Sequence, residues 1–230
     1  GCQVGAKNTL DKNYLHFAER NGTAVIPETR VTCVEPLGAE DGSDGYRVIG
    51  VSTRGLLRRQ KMHLTCRKVV FSAGVLGTVR LLSELKANGH LPHVSDRLGS
   101  YVRTNSESIQ GAFIDGKDVG KGIAISSGGT TPDGTHIEMV RYGDRADAMS
   151  ALSTVHAEGG RLPRQLYFLA ALIKHPLQAI KRLLWPFGWS KGAAIVLAMQ
   201  AVDNSMNLVF RRPWWWPFKR RLTSDWGDRT

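Results

Sequence analysis

Three short stretches hold the residue types that chemistry requires. The first is Ser72-Ala73-Gly74-Val75-Leu76-Gly77-Thr78, which follows the apolar run Val69-Val70-Phe71. A buried strand that ends in small residues lets a ligand approach bare main chain. A helix starting there offers free N–H groups and a positive dipole end to an anion. Such a strand–glycine–helix join is where a doubly wound fold meets a dinucleotide. Close packing of a helix on a sheet demands the same glycines, so spacing alone leaves both readings open. The second stretch is Arg103-Thr104-Asn105-Ser106-Glu107, a polar run between apolar elements. It suits a loop lining a polar cavity, or an ordinary surface loop. Asn105 offers a donor and an acceptor to a heterocycle or a hydroxyl. The third is Glu138 within His136-Ile137-Glu138-Met139-Val140. A strand carboxylate facing inward among apolar neighbours has a raised pKa and suits a general base. The alternation that puts Ile137 and Met139 on the opposite face equally allows Glu138 to face solvent.

Other chemistries find less support. Cys2, Cys33 and Cys66 are scattered without a C-x-x-C pair, which argues against a zinc site or a disulfide framework and for a reducing compartment. His156, His175 and Asp147 stand apart from further ligands, so no metal constellation is expected. The chain has no G-x-S-x-G elbow for a serine nucleophile.

Positioning these stretches requires a mixture of helices and strands. Asn8 or Thr9 caps a first helix carrying Leu10, Tyr14, Phe17 and Ala18 on one face, and Gly22 stops it. Ala24–Ile26 with Thr29–Val34, then Tyr46–Thr53 and His63–Ser72, read as consecutive strands, with a hairpin end at 54–61. A helix follows from about Leu76 to Ala87, its Leu81, Leu82 and Leu85 turned to the core and Gly89 ending it. Beyond Pro92 the character shifts. Ser108–Ile114, Ile123–Ser127 and His136–Tyr142 read as short strands, with a turn at Pro132-Asp133-Gly134. Residues 147–156 read as a helix. Leu162, Leu166, Leu169, Ile173, Leu177, Ile180 and Leu184 recur at helical spacing, and Pro176 divides the pattern into two helices. Ala193–Val202 and Leu208–Arg212 are expected to pair with each other, and the tail from Pro213 is aromatic and aperiodic. The fold class is α/β with α+β character, and a boundary falls near 92–105.

The net charge of +11 and pI near 9.9 are the compositional outlier. The basic residues are dispersed, which disfavours a nucleic-acid stripe. The leucine-rich helices bear Arg161, Arg164, Lys174, Lys181 and Arg182, with Trp185, Trp189 and Trp214–Trp216 nearby. Such a stripe either lies at an anionic membrane surface or faces a core. No apolar run reaches the ~18–20 residues of a membrane span and no signal peptide is visible. The expected location is cytoplasmic or peripheral to a membrane.

An ordered series of blocks resembles the cholesterol-oxidase-like branch of the glucose–methanol–choline (GMC) flavin oxidoreductases. It begins with Gly5-Ala6-Lys7-Asn8-Thr9-Leu10-Asp11-Lys12-Asn13-Tyr14-Leu15, then Pro27-x-Thr29-x-Val31 and Val70 to Thr78. It continues with Gly89-x-Leu91-Pro92-x-x-Ser95-Asp96-x-Leu98-Gly99 and Arg103 to Glu107. It closes with His136-Ile137-Glu138, Arg141-Tyr142-Gly143 and Met199-Gln200-x-x-Asp203-Asn204-Ser205. The resemblance covers residues 1 to about 210. It implies a partial FAD-binding doubly wound domain, residues 1–104, interleaved with a partial substrate-binding domain on a mixed sheet, residues 105–230. It implies oxidation of a sterol-like alcohol by hydride transfer to flavin. Val31 would meet the adenine end of FAD, and Ala73, Gly74 and Gly77 would lie along the cofactor. Asn105 and Glu138 would fall near the substrate cavity, Glu138 handling a proton. The family's N-terminal G-x-G-x-x-G strand and its C-terminal His- and Asn-bearing segment have no counterpart here, so the chain reads as the middle of an enzyme. Two alternatives stay open: the same flavin fold acting on a non-sterol alcohol, and a non-catalytic lipid- or membrane-binding module derived from the substrate domain.

Overall fold

In the computed structural model the described residues are 5–55, 60–114, 116–143, 145–153, 155–157, 164–177, 180, 187–214 and 217–226. Contacts divide the chain into two units. One is Thr9–Thr104 with Asp203–Thr230, the other Gly1–Asn8 with Asn105–Val202. The residues from Asp203 onward thus group with the first part of the chain rather than with the segment that precedes them.

In the first unit a short 3-10 turn, Leu10–Lys12, leads into helix α1, Tyr14–Arg20. Their apolar face looks outward: Leu10, Tyr14 and Phe17 are exposed. Strands β1 (Thr29–Pro36), β2 (Tyr46–Ser52) and β3 (Lys61–Cys66) then form an antiparallel sheet in sequence order. β-branched residues and short polar turns suit such a meander. Residues 24–26 lie outside the strand. The long helix α2, Gly74–Ala87, packs on β1. Val34 and Leu85, each 1% exposed, anchor this core. The α2 pattern matches the sequence expectation, with Leu81, Leu82 and Leu85 on the covered side.

The strand expected over Lys68–Ser72 does not form. Cys66 ends β3, residues 68–72 have no strand partner among the described residues, and Val70 is 85% exposed. An extended segment becomes a strand only when a neighbour satisfies its backbone groups.

Strands β8 (Met206–Arg211) and β9 (Arg221–Trp226) pair antiparallel in the same unit. The expected pairing of 193–202 with 208–212 is therefore replaced, and part of the aromatic tail is a strand. Gly99 fixes the entry to β8. Its φ is +83°, the Leu208 N–H donates to its carbonyl at 2.7 Å, and any Cβ there would overlap the Leu208 carbonyl oxygen.

The second unit is built on one antiparallel sheet in the order β4-β7-β6-β5. β4 is Glu107–Phe113, β5 Ile125–Thr130, β6 His136–Val140 and β7 Ala193–Met199. A 3-10 segment spans Asp147–Leu152, and helix α3 spans Arg164–Lys174. The short helix α4, Trp189–Gly192, runs straight into β7. α3 ends two residues before Pro176, as the pre-proline restriction requires. Its apolar stripe is exposed: Leu166, Leu169 and Ile173 on the helix, with Leu177 and Ile180 beyond it. Leu162, Leu184 and Trp185 lie outside the described residues.

Candidate functional site

Register places side chains on the faces of the second unit's sheet. Glu138 pairs with Leu197, and Leu197 pairs with Ile109 on its other side. Val140, Ile195 and Gly111 form the next row in the same sense. Directly paired antiparallel residues share a face, so Glu138, Leu197, Ile109 and Ile195 point the same way. Ile137 and Met139 take the other face, at 36% and 42% exposed, while the Glu138 side chain is 23% exposed. Glu138 is therefore better covered than its neighbours on the same strand, although Ile109 on its own face is 68% exposed.

That face borders an apolar cavity of about 280 Å³, close to the lower end of the ~300–1,000 Å³ usual for small-molecule pockets. Ile109, Phe113, Ala193 and Ile195 line it from the sheet, and Tyr142, Met149 and Trp189 close it. The Tyr142 and Trp189 rings meet at 5.3 Å between centroids. Asp147 sets the Trp189 wall. Its Oδ1 accepts from the Ser190 N–H at 2.8 Å and the Ser190 hydroxyl at 2.7 Å, and its Oδ2 accepts from the Gly188 N–H at 3.0 Å. These donors, the Ser190 N–H first, hold the carboxyl below its ordinary range.

Glu138 has a neighbour of its own. The His136 Nε2 lies 3.2 Å from its Oε1, and the His136 Nδ1 lies 3.1 Å from the Thr130 hydroxyl. Gly128 on β5 faces Glu138 in the register. A Cβ at Gly128 would stand 3.3 Å from His136 Nε2 and 3.5 Å from Glu138 Cγ, so the glycine leaves the ring and carboxylate their space. Asn105 precedes β4 and is exposed; its amide donates to Glu107 Oε2 at 3.1 Å. Glu107 and His136 both pair with Met199, from opposite sides of β7. Asn105 and Glu138 thus belong to one end of one sheet.

The other candidates lie in the first unit. Val31 is 38% exposed and adjoins a bulge, since β1 pairs Val31 with Gly50 and Cys33 with Ile49, leaving Thr32 extra. Ala73 and Gly74 open α2. The Ala73 N–H donates to the Thr78 hydroxyl at 3.1 Å, and Gly74 adopts φ +69° with nothing within 4 Å of where its Cβ would be. A Cβ at Gly77 would meet only Ala73 Cβ, at 3.2 Å. Ala73, Gly74 and Gly77 are exposed, as are Val75 and Leu76. Among the described residues no bulky group fills the corner, and its small residues fit a cofactor that approaches main chain.

Sequence reading passed over a cluster in this unit. Cys33 Sγ, a Glu35 carboxylate oxygen and a His90 ring nitrogen lie within 4.8 Å of one another. Both Glu35 oxygens already have partners: Arg47 Nη1 at 2.9 Å and His90 Nδ1 at 3.2 Å. Burial, and then the Glu35 carboxylate, push the Cys33 thiol up. Only tertiary contact brings His90, beyond the end of α2, to the Cys33-x-Glu35 pair on β1. The His136-x-Glu138 spacing on one strand face was, in contrast, present in the sequence as a signal.

No family model matches the chain. A cholesterol oxidase of Acinetobacter baumannii is 45% identical over 229 residues, 98% of this chain and 41% of that protein. A cholesterol oxidase of Mycobacterium tuberculosis (strain ATCC 25618 / H37Rv) is 41% identical over 222 residues, 92% of this chain and 37% of that protein. The chain spans about two fifths of the length of these relatives, and over nearly all of its own length it is similar to these cholesterol oxidases.

Proposed function

We propose that this chain forms part of an FAD-dependent GMC oxidoreductase that oxidises the hydroxyl of a sterol-like lipid alcohol. The observation that carries the reading is the half-buried Glu138 carboxylate on the sheet face that borders the apolar cavity. An apolar cavity on the sheet face that also carries a carboxylate suits a ligand that is hydrocarbon except for a hydroxyl. The relatives' name, cholesterol oxidase, points to the same substrate class.

In this reading Val31, Ala73, Gly74 and Gly77 hold FAD through main chain, and residues 105–202 supply the substrate side. FAD, when bound, supplies the hydride acceptor. Glu138 takes a proton from the substrate as general base. Asn105, held through Glu107, orients a polar group at the same end of the sheet. Ile109, Ile195, Tyr142 and Trp189 exclude water and grip the hydrocarbon.

The exposed leucine–isoleucine stripe of α3, beside Lys174 and within a chain of net charge +11, supports peripheral contact with an anionic lipid surface that stores such a substrate. No helix among the described residues is long and apolar enough to cross a membrane.

The test is a visible absorption spectrum of the full-length protein, followed by addition of a 3-hydroxysterol. A flavin spectrum that bleaches on anaerobic addition of the sterol is the expected result. A protein without flavin, or flavin indifferent to the sterol, refutes the reading.

A further inference from the structure

The His136–Glu138 pair at the end of the second unit's sheet is part of a longer hydrogen-bonded row. Thr130 ends β5, and His136 begins β6 directly opposite it. The row runs from the Thr130 hydroxyl to His136 Nδ1, at 3.1 Å, and from His136 Nε2 to Glu138 Oε1, at 3.2 Å. An ionised carboxylate only accepts hydrogen bonds, so Nε2 must carry the proton that faces it. In the neutral ring Nδ1 then accepts from the Thr130 hydroxyl. In the charged ring Nδ1 donates to the same oxygen. The threonine therefore serves both states and holds the ring in one plane.

The consequence falls on Glu138. One carboxylate oxygen is engaged by His136, which fixes the side-chain rotamer and leaves Oε2 as the oxygen available for other work. Gly128 beneath the pair keeps both groups from being pushed off the sheet. The His136 side chain is 43% exposed, so the pair adds little to overall stability. Its effect is on orientation.

We propose that His136, oriented by Thr130, is a positioning residue that holds Glu138 in its working rotamer. The proposal rests on the reading of Glu138 as the base and assigns its support to this chain's own side chains. A hydrogen bond to a charged group is strong enough for its loss to lower turnover roughly 10- to 100-fold. Substrate binding, which uses the apolar wall, stays as it was.

The experiment measures kcat and KM for a 3-hydroxysterol with the full-length flavoprotein and its His136→Leu, His136→Gln, Thr130→Val and Glu138→Gln variants. His136→Leu is expected to lose at least ~10-fold in kcat with KM within ~2-fold, and His136→Gln, whose amide can still donate to Oε1, to recover most of the loss. His136→Leu at wild-type kcat, with Glu138→Gln disabled, overturns the inference and leaves the base in place. Glu138→Gln at wild-type kcat overturns the base and the inference together. Should His136→Leu not fold, Thr130→Val decides: a kcat reduced ~3-fold or more at unchanged KM supports the row, and an unchanged kcat beside a disabled Glu138→Gln overturns it.

Discussion

Removing the Asp147 carboxylate should open the cavity wall, and the size of the effect follows from its three bonds. In Asp147→Ala the Ser190 N–H, the Ser190 hydroxyl and the Gly188 N–H lose their acceptor together. Ser190 is 2% exposed, so its donors cannot turn to water without local opening. Bonds to a charged acceptor contribute about 1.5–3 kcal/mol, and a buried donor left alone costs about 1–3 kcal/mol. These overlap rather than add, because the Gly188 donor is near solvent. About 2–3 kcal/mol of local stability is the working figure, which corresponds to roughly 30- to 150-fold faster amide exchange across residues 187–195. Hydrogen exchange by mass spectrometry on the full-length protein reads this directly. The pH dependence supplies a second check. The Asp147 pKa is lowered on folding, so its stabilisation is fully present above the ordinary aspartate value near 3.8 and is lost as pH falls through the folded value. The gap between wild type and variant should hold from neutrality to about pH 5 and close below about pH 4. Exchange within ~3-fold of wild type at neutral pH, or a gap that persists undiminished in acid, would refute the argument that the carboxylate holds α4.

Other outcomes follow from the same geometry. Glu138→Gln in the full-length enzyme should reduce steady-state sterol turnover at least ~100-fold, as expected for loss of a general base. Gly99→Ala should destabilise the first unit by more than ~2 kcal/mol, because it combines φ +83° with overlap on the Leu208 carbonyl; a lower denaturant midpoint or loss of soluble protein reports it. Gly128→Ala should cut kcat more than it shifts the thermal midpoint, since the added methyl displaces His136 and Glu138 by only a few tenths of an ångström. Ile173→Glu, at a position 80% exposed, should lower the fraction of protein sedimenting with anionic vesicles while leaving turnover on detergent-dispersed sterol unchanged.

Local elements were legible because their signals are local. The α2 helix announced itself through leucines at helical spacing and Gly89 at its end, and β1, β2, β4 and β6 through β-branched alternation between turn residues. Pairing was less so. β7 sits between β4 and β6 although the chain reaches it only after the segment that includes α3, and β8 pairs with β9 rather than with β7. Alternation specifies a face and not a partner, so the hairpin expected over residues 193–212 was the nearest guess in sequence and the wrong one in space. Lys68–Ser72 failed for the complementary reason: its residues favour a strand, and no neighbour among the described residues completes it.

The candidate site divides along the same line. Glu138 could be chosen from its type and neighbours, but its face could not, because Ile137 and Met139 are as apolar as residues that point inward. Register decided the matter by linking Glu138 through Leu197 to Ile109 and the cavity. Had β6 paired one residue out of step, Ile137 would take that face and His136 and Glu138 would both leave it, since a strand's side chains move as a set. The role proposed for Glu138 therefore depends on strand register more than on the carboxylate itself. Gly128, which leaves room for the histidine ring beside it, is as much a condition of that proposed role as any side chain with a charge.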